Sequence, residues 1–248
     1  MDDNICILFD QMDKIKIKLK PTQQLNDKIP INKKDESTIK TLDALFNVKA
    51  KITNQTKIIL PHGNSWVDVI ATIPKEICME TSIFERIWTM HPEKLGDGII
   101  AGQKVTFQRW EQSYGQDYYY AGKLHAALSL EDPYLKLLLD WVCQHSGLPY
   151  KGLLINWYQD GNHYIGPHSD SETSLVKGSP IYSFSFGQDR DFVIKSKDKT
   201  HRQVIHMNDG SLIIMGGEMQ KYYKHSVPIR ALSKCAHKRI NITFRLFK

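Results

Sequence analysis

Asn156-Trp157-Tyr158-Gln159-Asp160-Gly161-Asn162-His163-Tyr164-Ile165-Gly166-Pro167-His168-Ser169-Asp170 is the stretch that decides how this chain is read. A histidine and a carboxylate stand two residues apart, His168 and Asp170, just past a turn expected at Gly166 and Pro167. On a strand, side chains i and i+2 point to one face, so one imidazole and one carboxylate can bite the same ion. A further histidine from elsewhere would complete a two-histidine, one-carboxylate facial triad. Such a triad holds Fe(II) and leaves positions open for water, a co-substrate and dioxygen. A lone His-x-Asp is also what a solvated polar turn looks like, so the remaining parts of a site must be sought along the chain.

The 248 residues, 41% hydrophobic and 10% aromatic, allow one full-sized core plus an extension and exclude a disordered chain. The cysteines Cys6, Cys78, Cys143 and Cys235 lie far apart with no CxxC pair. That spacing argues against a disulfide framework or a zinc knot, and for a reducing, intracellular setting. No apolar run reaches the length of about 20 residues that crosses a bilayer, and no signal peptide opens the chain, so a membrane partner is not expected. A net charge of +6 fits a nucleic-acid partner.

Residues 1–55 are rich in Lys, Ile, Asn and Asp and lack Trp and Tyr; they are expected to form a basic extension. Within them, residues 14–20 alternate Lys with Ile or Leu, the pattern of a lysine-blunted edge strand or a basic arm. A helix is expected over 76–90, from the capping-box spacing at Ser82 and Glu85, with a stop at His91-Pro92. Gly96, Gly98 and Gly102 then punctuate a loop carrying Ile99 and Ile100. Residues 112–122 form a tyrosine-rich loop whose rings could stack on bases or cap a core. The clearest helix follows: Asp132 as N-cap, Pro133 in its first turn, Gly147 as its end, with Leu135, Leu138, Leu139 and Val142 on one face.

After that helix the period becomes two. Residues 153–158, 181–186, 191–195, 202–207, 211–215 and 239–247 read as strands, with Asn208-Asp209-Gly210 as a hairpin turn between two of them. Helices first and six short strands after imply an antiparallel sandwich or barrel with helices buttressing one sheet.

The last strand sorts Arg239, Asn241, Thr243 and Arg245 onto one face and Ile240, Ile242, Phe244 and Leu246 onto the other. Two arginines with no acid between them suit capture of an anion, since each guanidinium can grip a carboxylate through two parallel hydrogen bonds. Their Cα atoms stand ~20 Å apart on an extended strand, a gap long side chains can lean across to grip a small dicarboxylate. Asn156 and Tyr158 share a face of their own strand and offer an amide and a phenol to orient it. For the third ligand the chain offers His201, His206, His225 and His237; His225 is favoured, lying after the Gly216-Gly217 turn and before the arginine strand.

Together these pieces resemble the AlkB-type Fe(II)- and 2-oxoglutarate-dependent dioxygenases, in their nucleic-acid repair branch. The motifs occur in order: Asn156-x-Tyr158, Ile165 to Asp170, Gly178-Ser179-Pro180 before an alternating strand, Arg190-Asp191-Phe192, His225-Ser226, and Arg239 to Arg245. The resemblance implies an α+β, mainly β fold, a double-stranded β-helix (jelly roll) with helices on one sheet. Residues 56–150 would form the helical buttress and nucleotide-recognition loops, and 151–248 the jelly-roll core. It implies Fe(II) on His168, Asp170 and His225. It implies 2-oxoglutarate held by Arg245 and Asn156 at one carboxylate and by Arg239, Tyr158 and Asn241 at the other. Tyr118, Tyr120, Glu172 and Arg109 would meet a flipped base.

The implied reaction uses dioxygen and 2-oxoglutarate to demethylate 1-methyladenine or 3-methylcytosine in DNA or RNA, releasing formaldehyde and succinate. The implied setting is a monomer in the nucleus of a eukaryote, or in the cytoplasm otherwise. The rival readings are the same chemistry on RNA modifications or protein, and a binding module without turnover. Ser171 departs from the second Asp of close relatives, and Ile99-Ile100-Ala101-Gly102 replaces an aromatic wedge with aliphatic residues. Lys195, Lys197, Lys199, His201 and Arg202 form a basic hairpin suited to phosphates or to solvent.

Overall fold

The computed structural model describes residues 54–100, 102–120, 122–170 and 174–248. The proposed lysine strand at 14–20, nearly all of the 1–55 extension, and Glu172 lie outside them. No helix among the described residues is long and apolar enough to cross a membrane.

The best-signalled helix is where its caps put it. The Asp132 carboxylate accepts from the backbone N–H groups of Tyr134 and Leu135, and Gly147 ends the helix at φ 69°. Helix α2, Pro133–Ser146, buries Leu135, Leu138 and Val142 completely against the large sheet. The earlier helix is shorter than expected. A 3-10 turn spans Lys75–Ile77, and helix α1 covers only Thr81–Trp88. Glu80, not Ser82, stands at its N-cap, with no side-chain cap bond. Burial of Ile87 and Trp88 sets the helix phase, and the Trp157 indole N–H donates to the Ile87 carbonyl at 2.9 Å, tying α1 to the sheet.

Fifteen strands are described. β1 (Gln55–Leu60), β2 (Ser65–Ile70), β5 (Trp110–Tyr114), β8 (Leu153–Tyr158), β10 (Ile181–Gly187), β13 (Ser211–Gly217) and β15 (Arg239–Phe244) make a seven-stranded sheet in the order β1-β2-β13-β10-β15-β8-β5. β9 (Ile165–His168), β11 (Arg190–Ser196), β12 (Arg202–Met207) and β14 (Tyr223–Val227) make a four-stranded sheet in the order β12-β11-β14-β9. Two hairpins stand apart: β3 (Asp97–Ile100) with β4 (Gln103–Thr106), and β6 (Tyr118–Tyr120) with β7 (Lys123–His125). One apolar cluster joins Ile155, Trp157, Phe184 and Ile242 of the large sheet to α1 and α2. A second joins Tyr158, Ile213 and Met215 of the large sheet to Phe192, Ile194 and Tyr223 of the small one. The result is the jelly roll expected, with helices covering the outer face of one sheet.

Three local expectations are corrected. Gly166 and Pro167 are not a turn but lie inside β9, an edge strand, where the N–H that proline lacks is not needed by a neighbour. The 96–102 loop is the β3–β4 hairpin, with Gly102 at φ 78° in its turn. Residues 208–210 do not join a hairpin: β12 lies in the small sheet and β13 in the large one. The turn carries the chain between layers, and the Asp209 carboxylate anchors it by accepting from the Gly187 N–H at 2.8 Å. The alternating pattern of 202–207 and 211–215 reads the same for a hairpin as for a crossover, because it reports burial and not the partner.

Candidate active site

β14 pairs antiparallel with β9, and His225 stands directly opposite His168. Their ring centroids are 4.3 Å apart. Asp170 follows just beyond the end of β9. Ligating atoms of His168, Asp170 and His225 all lie within 4.8 Å of one another. Two of the residues come from adjacent positions in a ladder, so backbone pairing, not side-chain reach, builds most of this cluster. Phe192 packs its ring on His225 at 5.4 Å between centroids.

The electrostatics suit a cation. Burial holds both imidazoles neutral: it pushes His225 down to about 3, helped by His168, and it lowers His168. Neutral imidazoles keep a lone pair for a metal. The His168 Nδ1 lies 2.9 Å from the Gly166 carbonyl, which leaves Nε2 as its ligating atom. For Asp170 burial pushes upward, but the Arg245 guanidinium and the two histidines outweigh it and hold the carboxyl at about 2. Its Oδ1 accepts from Arg245 Nη2 at 3.0 Å, while the buried Oδ2 has no hydrogen-bond partner, and neither has His225 Nδ1. A carboxylate and two neutral imidazoles whose ligand atoms lie within 4.8 Å of one another, with Asp170 Oδ2 and His225 Nδ1 buried and unsatisfied, are the donor set that fits Fe(II).

Beside the triad a cavity is lined by Asn156, Tyr158, Arg239, Asn241 and Arg245, together with both histidines. Arg239 is 2% exposed; its Nε donates to Ser185 Oγ at 3.0 Å and its guanidinium lies 4.9 Å from the centre of the Tyr158 ring. Its Nη1 has no hydrogen-bond partner, and among the described residues no carboxylate pairs with it. Burial lowers its pKa. A buried cation left incomplete beside a cavity is what an anionic ligand would complete. Arg190 differs in that both its terminal nitrogens are used, donating to the carbonyls of Asp160, His163 and Pro228 at 3.0, 2.8 and 2.8 Å, with only Nε left without a partner.

The polar face of β15 is thus buried, not solvated. Asn241 donates to Ser183 Oγ at 2.9 Å and to the Phe184 carbonyl at 2.6 Å, and Thr243 Oγ1 donates to Asn241 Oδ1 at 3.1 Å. Arg245 has left the ladder, since β15 ends at Phe244. It turns back onto Asp170 and so touches the triad directly.

Arg109 lies elsewhere than on an open substrate surface. It is buried, donating through Nε to Asn156 Oδ1 at 2.6 Å and through Nη2 to Glu111 Oε2 at 2.5 Å. The structure therefore sets it behind Asn156. Glu111 was not singled out from the sequence, because a charged residue in a short strand reads as solvated. It lines a neighbouring cavity of about 190 Å³ with His125 and Leu124, under the β6–β7 hairpin. Tyr118 and Tyr120 belong to β6, with Tyr118 opposite His125; their side chains, like Glu172, lie outside what is described. Ile99 is 54% and Leu124 56% exposed on the two hairpins.

Over residues 80–245 the chain matches the 2OG-Fe(II) oxygenase superfamily. It is 38% identical over 121 residues to the DNA oxidative demethylase ALKBH2 of Mus musculus, covering 46% of this chain and 50% of that protein. To the human protein of the same name it is 39% identical over 121 residues, covering 46% of each. It is 32% identical over 180 residues to the alpha-ketoglutarate-dependent dioxygenase alkB homolog 3 of Bos taurus, covering 66% of this chain and 60% of that one. The chain spans about half the length of the ALKBH2 relatives it matches. Among solved structures, "The structure of OsALKBH1" superposes with a TM-score of 0.52 at 17% identity, over 77% of this chain and 100% of that one, a likeness of fold.

Proposed function

The chain belongs to the 2OG-Fe(II) oxygenase superfamily, and from that premise we propose that it oxidatively demethylates N-alkylated nucleobases, such as 1-methyladenine and 3-methylcytosine, in DNA or RNA. The observation that carries the reading is one arrangement: three ligand atoms within 4.8 Å of one another beside a cavity walled by a buried, incompletely bonded arginine. The relatives named DNA oxidative demethylase support the choice of substrate.

When bound, Fe(II) and 2-oxoglutarate supply an oxidant from dioxygen that hydroxylates the N-methyl carbon; formaldehyde then leaves, and succinate and carbon dioxide are the co-products. The chain's own part is geometry. His168, Asp170 and His225 hold the metal. Arg245 and Asn156 meet the keto-acid end of the co-substrate, and Arg239, Tyr158 and Asn241 its far carboxylate. Arg109, fixed by Glu111, holds the Asn156 amide in orientation. Tyr118, Tyr120 and Glu172 receive the flipped base, since a base inside the stack is out of reach of a buried metal. The exposed Ile99 and Leu124 offer an aliphatic wedge against bases. Lys195, Lys199 and Arg202, exposed on and beside the β11–β12 turn, offer cations to phosphates. In this assignment residues 56–248 are the catalytic unit, and in a eukaryotic cell the nucleus is its place of work.

The test is formaldehyde release from 1-methyladenine oligonucleotides given Fe(II), ascorbate and 2-oxoglutarate, compared across duplex DNA, single-stranded DNA and RNA. Release that depends on 2-oxoglutarate is the expected result. Decarboxylation of 2-oxoglutarate with no loss of methyl from any nucleic acid would move the activity to another substrate. Nucleic-acid binding without either reaction would leave a binding module.

A further inference from the structure

Asp170 is the ligand that the sheet does not hold. β9 ends at His168, so ladder hydrogen bonds fix the first histidine but not the backbone two residues on. Something else must set the direction of that carboxylate. The short helix α3, Met219–Tyr222, runs straight into β14, the strand of His225. From it the largely buried Gln220 reaches across, and its Oε1 accepts from the Asp170 backbone N–H at 2.9 Å. The other end of that amide rests on Met215 Sδ at 3.7 Å. Next to it, Ser169 Oγ donates to the Tyr223 carbonyl at 2.6 Å. Both residues that follow His168 are thus tied to the segment that leads into His225.

That segment is itself braced. Lys197 Nζ donates to the Gln220 carbonyl at 2.9 Å. The Glu218 N–H donates to the Asn64 carbonyl at 2.9 Å, and the Asn64 N–H returns to Glu218 Oε2 at 3.2 Å. The Tyr223 hydroxyl accepts from the His62 N–H at 3.0 Å and lies 2.8 Å from its Nδ1. The bracket therefore rests on the β1–β2 turn and on Lys197 in the β11–β12 turn, neither of which lines the cavity.

We propose that Gln220 is a positioning residue that sets the Asp170 carboxylate for the metal by holding its backbone N–H. The inference rests on the reading that His168, Asp170 and His225 hold a metal. Groups bonded to ligands commonly change metal affinity by about 10–100-fold when removed. The side-chain oxygen of Gln220 does the work here, so a substitution that keeps an acceptor should be tolerated and one that removes it should not.

The test uses Co(II) as the probe, with affinity from titration and ligand geometry from its visible absorption bands. Gln220→Met, similar in length and shape but with no oxygen, is expected to weaken Co(II) binding by about 10–100-fold and to change the band shape. Gln220→Glu, which keeps an acceptor oxygen, is expected to keep the wild-type spectrum with affinity at or above wild type. Thermal unfolding of the metal-free variants accompanies both, so that the spectra are compared between folded samples. Unchanged Co(II) affinity and spectrum in Gln220→Met overturns the proposal. Equal weakening in both variants also overturns it, because packing rather than the acceptor would then matter. Failure of the wild-type protein to bind Co(II) at all sinks the metal reading, and this inference with it.

Discussion

Replacing Arg239 with methionine tests the co-substrate pocket from two sides at once. The guanidinium is 2% exposed, with one hydrogen bond to Ser185, one aromatic face at Tyr158 and no carboxylate partner among the described residues. Burying an ion without a counter-charge costs several kcal/mol, and an apolar side chain of similar volume is often neutral or stabilising. The metal-free Arg239→Met protein should therefore be more stable than wild type by about 1–2 kcal/mol. At about 2–4 °C per kcal/mol for a chain of this size, that is a rise in Tm of roughly 2–8 °C. The loss appears when the ligand is added. Removing one partner of a buried, hydrogen-bonded charge pair costs about 3–5 kcal/mol, and each 1.4 kcal/mol is about tenfold in Kd. Affinity for 2-oxoglutarate should fall by a factor on the order of 100–4,000. Calorimetric melting of the metal-free protein reads the first effect, and titration of 2-oxoglutarate into Mn(II)-loaded protein reads the second. An affinity within threefold of wild type would refute the assignment of Arg239 to a carboxylate. A Tm several degrees lower would refute the view that its charge is uncompensated.

Asp170→Ala should abolish turnover while leaving nucleic-acid affinity within about twofold, and it should lower stability because Arg245 loses the carboxylate at 3.0 Å; full turnover in that variant would remove Asp170 from the triad. Leu138→Ala, at a fully buried site between α2 and the large sheet, should cost about 2–5 kcal/mol in urea unfolding, and a loss below about 1 kcal/mol would contradict the packing described. Acid should destabilise the metal-free protein early. The unfolded chain takes up a proton on His225 near pH 6.5, whereas burial delays it in the fold to about 3. Stability is thus whole above about pH 6.5 and falls as pH drops toward 3, by about 1.4 kcal/mol per unit from this group. Asp170, held at about 2, adds its own loss only below about pH 4. Melts at pH 7.5, 6 and 5 check this, and a constant Tm across them would mean that His225 is not buried neutral.

What could be read without coordinates was local or ordered along the chain. The N-cap of α2 is the Asp132 side chain bonding backbone N–H groups two and three residues on, its C-cap is Gly147 in the left-handed region with its N–H on the Cys143 carbonyl, and both stand where the sequence puts them. Strands β8 and β12 fall where the alternation put them. β2 does not show in the pattern because Ser65 and Asp68 are buried polar residues that spoil the apolar run of a sheet interior, and β1 because it is an edge strand exposed along most of its length.

The sequence by itself determined the inventory: two histidines and an acid in the right order, an arginine-bearing strand, one strongly capped helix and a run of short strands. Only the tertiary structure decided which of these meet. Register between β9 and β14 sets His168 opposite His225, Arg245 turns onto Asp170, and Arg109 is drawn behind Asn156. Periodicity and capping depend on residues within a few positions of each other, whereas these pairings join residues 47 to 75 apart. Which buried polar group finds which partner is settled by how the layers close, and no short-range pattern carries that information.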